Sequence, residues 1–288
     1  MRTLERTAGE KDAGRKVKYF VRGDMGVSYH RFASLKMQGA VTVNGAPVRA
    51  NDLLRPGDVV AVRLDEPERF GVAPDPTPVD VVYEDQDILI LDKPAPLACQ
   101  CSPKQEGMTL ENRLASRYPG MVFRPLNRLD RGTSGLMAAG KHAHAAQVLQ
   151  KQLHTDAFVR EYLAVVEGWM AGEGVIDAPI AKAAAATVRR VVDRANGRPA
   201  VTRYRVEWPG DRCSLVRLRL ETGRTHQIRV HLAHLGHPVV GDFLYGKEDP
   251  RLPGRFALHS THLQLTHPVT GETIECESPL PETLSRLI

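Results

Sequence analysis

Three runs that alternate in polarity or are rich in β-branched residues, 162–166, 202–208 and 214–220, follow one another with no helix-spaced stretch between the last two. Parallel neighbours need a crossover of a dozen or more residues, usually a helix, so strands joined this directly fold back on each other. A further strand-like run lies at 87–91, and helical spacing appears at 110–118 and 143–153. The expectation is an α+β chain: a mixed, largely antiparallel sheet with flanking helices, not a doubly wound one.

The first quarter of the chain reads differently. An apolar-periodic stretch near 28–37 ends at Gly39, and Val41-Thr42-Val43-Asn44-Gly45 and Val59-Val60-Ala61-Val62 follow, which predicts a helix and then short strands turning at Asn44-Gly45. Prolines at 67, 74, 76 and 78 hold the backbone extended and mark a linker. Residues 1–16 are polar and charged and read as a flexible segment. The division expected is 1–16 flexible, 17–65 a small domain, 66–78 linker and 79–288 a second domain.

Charge sharpens this division. The chain of 288 residues carries a net +5, and residues 1–65 hold 12 Lys/Arg against 7 Asp/Glu, so the remainder balances at 27 of each. A basic module joined to a neutral one suits a first part that holds a polyanion and a second that does something else. No apolar run approaches the roughly 20 residues that span a bilayer, and residues 1–14 lack the apolar core of a signal peptide, so a cytoplasmic protein without membrane contact is expected. Four cysteines agree with a reducing compartment, and only Cys99 and Cys101 are close, one pair where a zinc knuckle shows two.

Chemistry concentrates in Asn127-Arg128-Leu129-Asp130-Arg131-Gly132-Thr133-Ser134-Gly135-Leu136. One acid lies between two arginines on a turn rich in glycine and hydroxyls, and a permanently charged arginine folded against Asp130 would keep it ionised. An isolated aspartate in a turn more often closes a salt bridge. The surrounding motifs shift the balance. The segment resembles the catalytic motif of the RluA-type pseudouridine synthases, which ends in Arg-Leu-Asp and continues to Thr-Ser-Gly. Further motifs of that family follow in order: Leu91-Asp92-Lys93-Pro94-Ala95, Arg160-Glu161-Tyr162-Leu163-Ala164, Gly223-Arg224-Thr225-His226-Gln227-Ile228-Arg229, Gly236-His237-Pro238-Val239-Val240-Gly241-Asp242, Ala257-Leu258-His259 and His267-Pro268. Family members most often carry His where this chain has Asn127, which bears on the hydrogen bonding of the turn and leaves the reaction class untouched. The N-terminal pattern resembles the S-four-type RNA-binding domain that often precedes such catalytic domains.

The resemblance implies a bent sheet with a central cleft, and an enzyme that isomerises uridine to pseudouridine without cofactor or metal. It assigns Asp130, Tyr162 and Arg229 as catalytic residues. Asp130 attacks the sugar or the base, or promotes loss of a sugar proton. Arg229 pairs with that carboxylate. Tyr162 stacks on the flipped uracil and helps take the final proton. Arg128, Arg131 and Thr133 are the substrate-binding candidates, with Arg128 filling the gap left by the flipped base. On the N-terminal helix, Arg31 and Lys36 are the RNA-contacting candidates, Tyr29 and Phe32 are aromatics of either role, and the basic, alanine-rich stretch 182–194 reads as a mobile loop touching RNA. Ribosomal RNA is the favoured partner, transfer RNA the runner-up, and the protein is expected to act as a monomer.

Two other readings stand beside this one. His226, His231, His234 and His237, with His259, His262 and His267, invite a metallohydrolase, but none forms a His-Glu-x-x-His helix and their spacings spread over more than one helical face. The second is a non-catalytic RNA-binding protein on the same scaffold, against which the intact Asp130, Tyr162 and Arg229 argue.

Overall fold

Ile88-Leu89-Ile90-Leu91 is apolar without alternation, the pattern of a strand covered on both faces, and the fold is built outward from it. The computed structural model describes residues 3–64, 72–101, 107–153, 155–184 and 187–288, apart from the His30 side chain.

In chain order the elements begin with β1 (Thr3–Thr7), α1 (Val17–Gly23), α2 (Tyr29–Met37), β2 (Val41–Val43), β3 (Ala46–Pro47) and β4 (Val59–Arg63). Then come β5 (Asp80–Glu84), β6 (Ile88–Lys93), α3 (Leu110–Arg117), β7 (Arg124–Pro125), β8 (Ser134–Gly140), α4 (Ala143–Gln152) and β9 (Phe158–Glu167). The rest are β10 (Glu173–Asp177), β11 (Ile180–Lys182), β12 (Arg190–Val192), β13 (Val201–Trp208), β14 (Cys213–Leu220), α5 (Gln227–His234), β15 (Leu258–Thr266), β16 (Thr273–Glu277) and α6 (Glu282–Ser285).

A ten-stranded sheet runs β10-β13-β14-β9-β15-β8-β6-β5, with β7 on β8 and β16 on β15. Among the described residues β8 and β15 alone pair in parallel; every other pairing is antiparallel, as the helix-free succession of strands predicts. The central strands divide their side chains by parity. Leu89, Leu91, Met137 and Ala139 enter one core with Leu110 and Leu114 of α3 and Ile228 and Leu232 of α5. Ile88, Ile90, Leu136 and Ala138 enter the other, covered by Leu149 of α4. The helices at 110–118 and 143–153 therefore stand where spacing puts them, on opposite faces.

Strand β15 also branches the sheet. Its start pairs with β8 through His259 and Ser260, its remainder pairs with β16, and its ladder with β9 shifts register between Ser260 and His262. The β8 contact requires Gly135: at φ 107° a Cβ there would stand 2.6 Å from the Ser260 nitrogen and closer still to its carbonyl oxygen.

The N-terminal part has its own four-stranded sheet, β1-β4-β2-β3, and its own core of Val17, Phe20, Leu35, Val60 and Val62. Ser28 caps α2 by accepting from the Arg31 amide, Gly39 follows the helix with φ 63°, and Asn44-Gly45 turns β2 into β3. Phe32 packs inward while Tyr29 stays exposed. Residues 3–16 depart from the flexible segment expected of them: Thr3–Thr7 pairs with β4 along its whole length, and Asp12 is buried against Arg15. A single apolar residue, Leu4, gives that strand no alternation to read, and its backbone pairing supplies what its side chains do not. The linker expected at 66–78 lies outside the described residues up to 71. Beyond that it is tied down, with Asn112 of α3 donating to the Ala73 carbonyl at 2.7 Å and accepting from the Asp75 amide at 3.0 Å.

The basic stretch 182–194 is also corrected. Ile180–Lys182 pairs with Arg190–Val192 as a hairpin, and the Arg190 amide donates to the Tyr245 hydroxyl. Residues 185 and 186 within it lie outside the described residues.

Candidate active site

Asp130 sits on the turn that leads into β8, and the structure brings Arg229 to it from α5, 99 positions away, with Nη1 donating to Asp130 Oδ2 at 2.8 Å. The arginine is fixed from behind. Its Nε and Nη2 donate to Asp242 Oδ2 and Oδ1 at 2.6 and 2.8 Å, and Asp242, fully buried, also accepts from the Leu244 and Tyr245 amides. The guanidinium lies over the Phe256 ring at 4.1 Å and the Tyr245 ring at 5.0 Å. Burial works against its charge, but the Asp242 hydrogen bonds and the two carboxylates hold its pKa above the usual value. The result is an oriented cation whose free edge points at one carboxylate oxygen.

The turn itself is locked from several sides. Asn127 uses its carboxamide as a strand would use its backbone, accepting from the Ala138 amide at 2.8 Å and donating to the Leu136 carbonyl at 3.2 Å. Thr133, buried, donates its amide to the Asp130 carbonyl. Gly132 lies against Phe256, where a Cβ would come within 2.6 Å of the ring that carries Arg229. Beneath, Lys93 is fully buried and donates to the Pro94 and Leu97 carbonyls at 3.0 and 2.8 Å; burial lowers its pKa to about 8. Cys99 donates to the Leu129 carbonyl.

Tyr162 projects from β9 into the same space. It is buried, and burial raises its pKa, so its phenol is neutral. His226 precedes α5 in a left-handed conformation, φ 59°, with Nε2 3.9 Å from Asp130 Oδ2. The Tyr245 hydroxyl accepts from the Arg190 amide and sits 2.8 Å from His226 Nδ1, which gives it Nδ1 as the acceptor for its own proton and leaves the Nε2 hydrogen facing Asp130. Burial lowers the pKa of this imidazole more than Asp130 raises it.

These groups enclose a narrow pocket whose walls include Asp130, Tyr162, His226 and Arg229, opening into a wide cleft of about 840 Å³. Arg128 and Arg131 are exposed at the cleft mouth. Of the sequence candidates, Asp130, Tyr162, Arg229, Arg128, Arg131 and Thr133 thus converge. Arg31 and Lys36 stand apart on α2, half-buried, and Arg31 donates to the Leu64 carbonyl at 3.2 Å. Sequence reasoning assigned no role to Asp242, Tyr245 or Phe256, and weighed His226 only as a metal ligand. Asp242 was within reach, since a buried arginine needs an acid and the Gly-Asp motif supplies one 13 residues on.

The remaining histidines are dispersed. His231 contacts Thr202 and the Ala178 carbonyl, His237 the Glu167 carbonyl, and His259 Ser134 and Ser278. Among the described residues Asp85, Asp87 and His267 alone cluster as metal ligands do. There the Val269 and Thr270 amides donate to His267 Nδ1, which leaves the ring hydrogen on Nε2, 2.9 Å from Asp85 Oδ2, so that nitrogen has no lone pair to turn toward a metal.

Comparison with known proteins agrees with this geometry. The family model described as RNA pseudouridylate synthase matches residues 87–234. The chain is 37% identical over 273 residues to the uncharacterized RNA pseudouridine synthase YjbO of Bacillus subtilis (strain 168), covering 92% of this chain and 96% of that protein. It is 38% identical over 250 residues to ribosomal large subunit pseudouridine synthase D of Escherichia coli (strain K12), covering 81% of this chain and 76% of that one. Among solved structures, human RNA pseudouridylate synthase domain containing 1 superposes with a TM-score of 0.56 at 28% identity, over 70% of this chain and 83% of its own.

Proposed function

The chain belongs to the RNA pseudouridylate synthase family and is an RNA pseudouridine synthase, an isomerase, and from that premise we propose that it acts on ribosomal RNA with Asp130 as its catalytic carboxylate. The observation that carries the assignment is the Asp242–Arg229–Asp130 chain of hydrogen bonds at the floor of the narrow pocket. It aims one carboxylate oxygen from a fixed direction into a space walled by an aromatic ring.

In the proposed reaction the target uridine leaves its stack and enters the narrow pocket, with Arg128 at the mouth occupying the vacated position. Asp130 acts at the ribose or the base, the bond from ribose to the base nitrogen breaks, and the uracil turns and rejoins through carbon five. Tyr162 lies over the base, and its neutral phenol relays the proton left on carbon five, passing its own hydrogen to solvent in the cleft as it accepts that one. Arg229 and the neutral His226 position the carboxylate throughout. Arg131 and Thr133 hold the substrate strand and the turn. No oxidation occurs and no group is imported, so the reading needs no cofactor.

Ribosomal RNA is favoured over transfer RNA because relatives named for the large ribosomal subunit match this chain across most of its length, and because the net charge lies in the N-terminal part. That part we read as an S-four-type RNA-binding domain ending near residue 65, with Arg31 and Lys36 toward RNA and a catalytic domain at 79–288. Its separate core, which ends at Leu64, supports the boundary. We read the enzyme as a cytoplasmic monomer. The test is tritium release from ribosomal RNA labelled at carbon five of uracil: the intact protein releases it and Asp130→Asn does not. Equal release by both would remove Asp130 from its role.

A further inference from the structure

Arg160 is 5% exposed, and among the described residues no carboxylate lies within ion-pair distance of it. It stands two residues before Tyr162 on β9, on the same face of the strand. Its guanidinium carbon lies 5.7 Å from the centre of the Phe158 ring and its Nη2 donates to the Leu153 carbonyl at 3.3 Å, at the end of α4. That bond uses one of five N–H donors, while Nε is buried with no partner. A buried guanidinium left this incomplete is costly unless an anion completes it.

Two further observations fix where that anion would come from. Arg160 lines the wide cleft and is absent from the walls of the narrow pocket that takes the base. Gly223 lines the cleft beside it, close enough that a Cβ at that position would come within 3.1 Å of Arg160 Nη1. Outside the base pocket, the negative charge that an RNA strand brings is its phosphate, whose paired oxygens match a guanidinium fork.

We propose that Arg160 grips a backbone phosphate beside the flipped uridine, anchoring the strand while the base enters the pocket. The proposal rests on the reading of the cleft as the place of a target uridine. It makes Arg160 a substrate-binding residue whose effect falls on KM more than on kcat.

The test uses the full chain and 5-tritiated ribosomal RNA, with filter retention of the same RNA read independently of catalysis. Arg160→Gln raises KM at least tenfold with the larger part of the loss in KM, and it lowers the slope of log affinity against log salt by about 0.7, the loss of one phosphate contact on a single strand. Arg160→Lys keeps the salt slope, because the charge remains, and raises KM by an intermediate amount, because a point charge cannot fork. A loss confined to kcat, or an unchanged salt slope in an Arg160→Gln protein of wild-type melting temperature, overturns the proposal. Should Arg160→Gln melt early, Arg160→Lys decides: KM and salt slope both equal to wild type overturn it. Failure of the wild type to release tritium would instead sink the synthase reading, and the retention arm would still decide whether Arg160 holds phosphate.

Discussion

Asp242 never reaches the narrow pocket, yet it sets the direction of Arg229, which does. Asp242→Asn keeps the volume but offers the guanidinium an amide donor where it needs an acceptor, leaving Arg229 half-paired in a buried place. Breaking a buried pair from one side costs roughly 3–5 kcal/mol, and a displaced Arg229 lowers turnover by about 100-fold. A melting curve and tritium release check the two effects separately. Lys93 carries a prediction of opposite kind. Burial depresses its pKa to about 8, so the folded state binds fewer protons than the unfolded chain between there and the ordinary lysine value. Its contribution to stability is therefore full above about 10.5 and lost as pH falls through about 8, a difference of roughly 3 kcal/mol. The two carbonyl bonds survive deprotonation, since a neutral amine still has two hydrogens for Pro94 and Leu97. Urea midpoints at pH 7.5 and 10 rise with pH in the wild type, and Lys93→Met removes that part of the rise. The sequence named Asp130, Tyr162 and Arg229 because each sits inside a spaced motif. Tyr245 and Phe256 escaped because an aromatic ring under a cation reads, in sequence, as ordinary core.

At the level of elements, helix α4 does two jobs. One face covers a core of the large sheet, and from it Gln147 reaches the N-terminal part, accepting from the Ser28 amide at 3.2 Å and donating to the Gly26 carbonyl at 3.0 Å. That carboxamide ties the loop before α2 to the catalytic part through two bonds that bypass the proline-rich segment. Gln147→Ala removes both, at about 1 kcal/mol each, and the expected signature is faster hydrogen exchange around residues 26–28 with the melting of the large sheet unchanged. Helices α2, α3 and α4 were legible because apolar spacing writes them. Strand β1 and the β11–β12 hairpin were not, because edge strands held by backbone pairing need no alternating side chains, and Ala183 and Ala184 give no period to follow.

Across the whole molecule, charge and chemistry are separated along the chain. Lys11, Lys16 and Arg22 are exposed on the N-terminal part. Replacing the three with Gln lowers the salt slope of RNA retention by about 2 if each meets a phosphate of a single strand. Turnover at saturating RNA should fall much less than affinity; a parallel collapse of both would show that the basic part takes part in chemistry. The parallel seam between β8 and β15 has a temporal consequence. It joins Ser134 to His259, 125 positions apart, and the Arg229 that meets Asp130 arrives 99 positions after it. Contacts of such range form late, because closure entropy is lost before any pairing rewards it. On a chain emerging at about 5–20 residues per second, the aspartate turn waits roughly 5–20 s for its arginine and longer for the strand that seals it. Until Arg229 has emerged, a nascent chain lacks the carboxylate–guanidinium pair on which the proposed reaction depends, beside the very class of RNA it is proposed to modify.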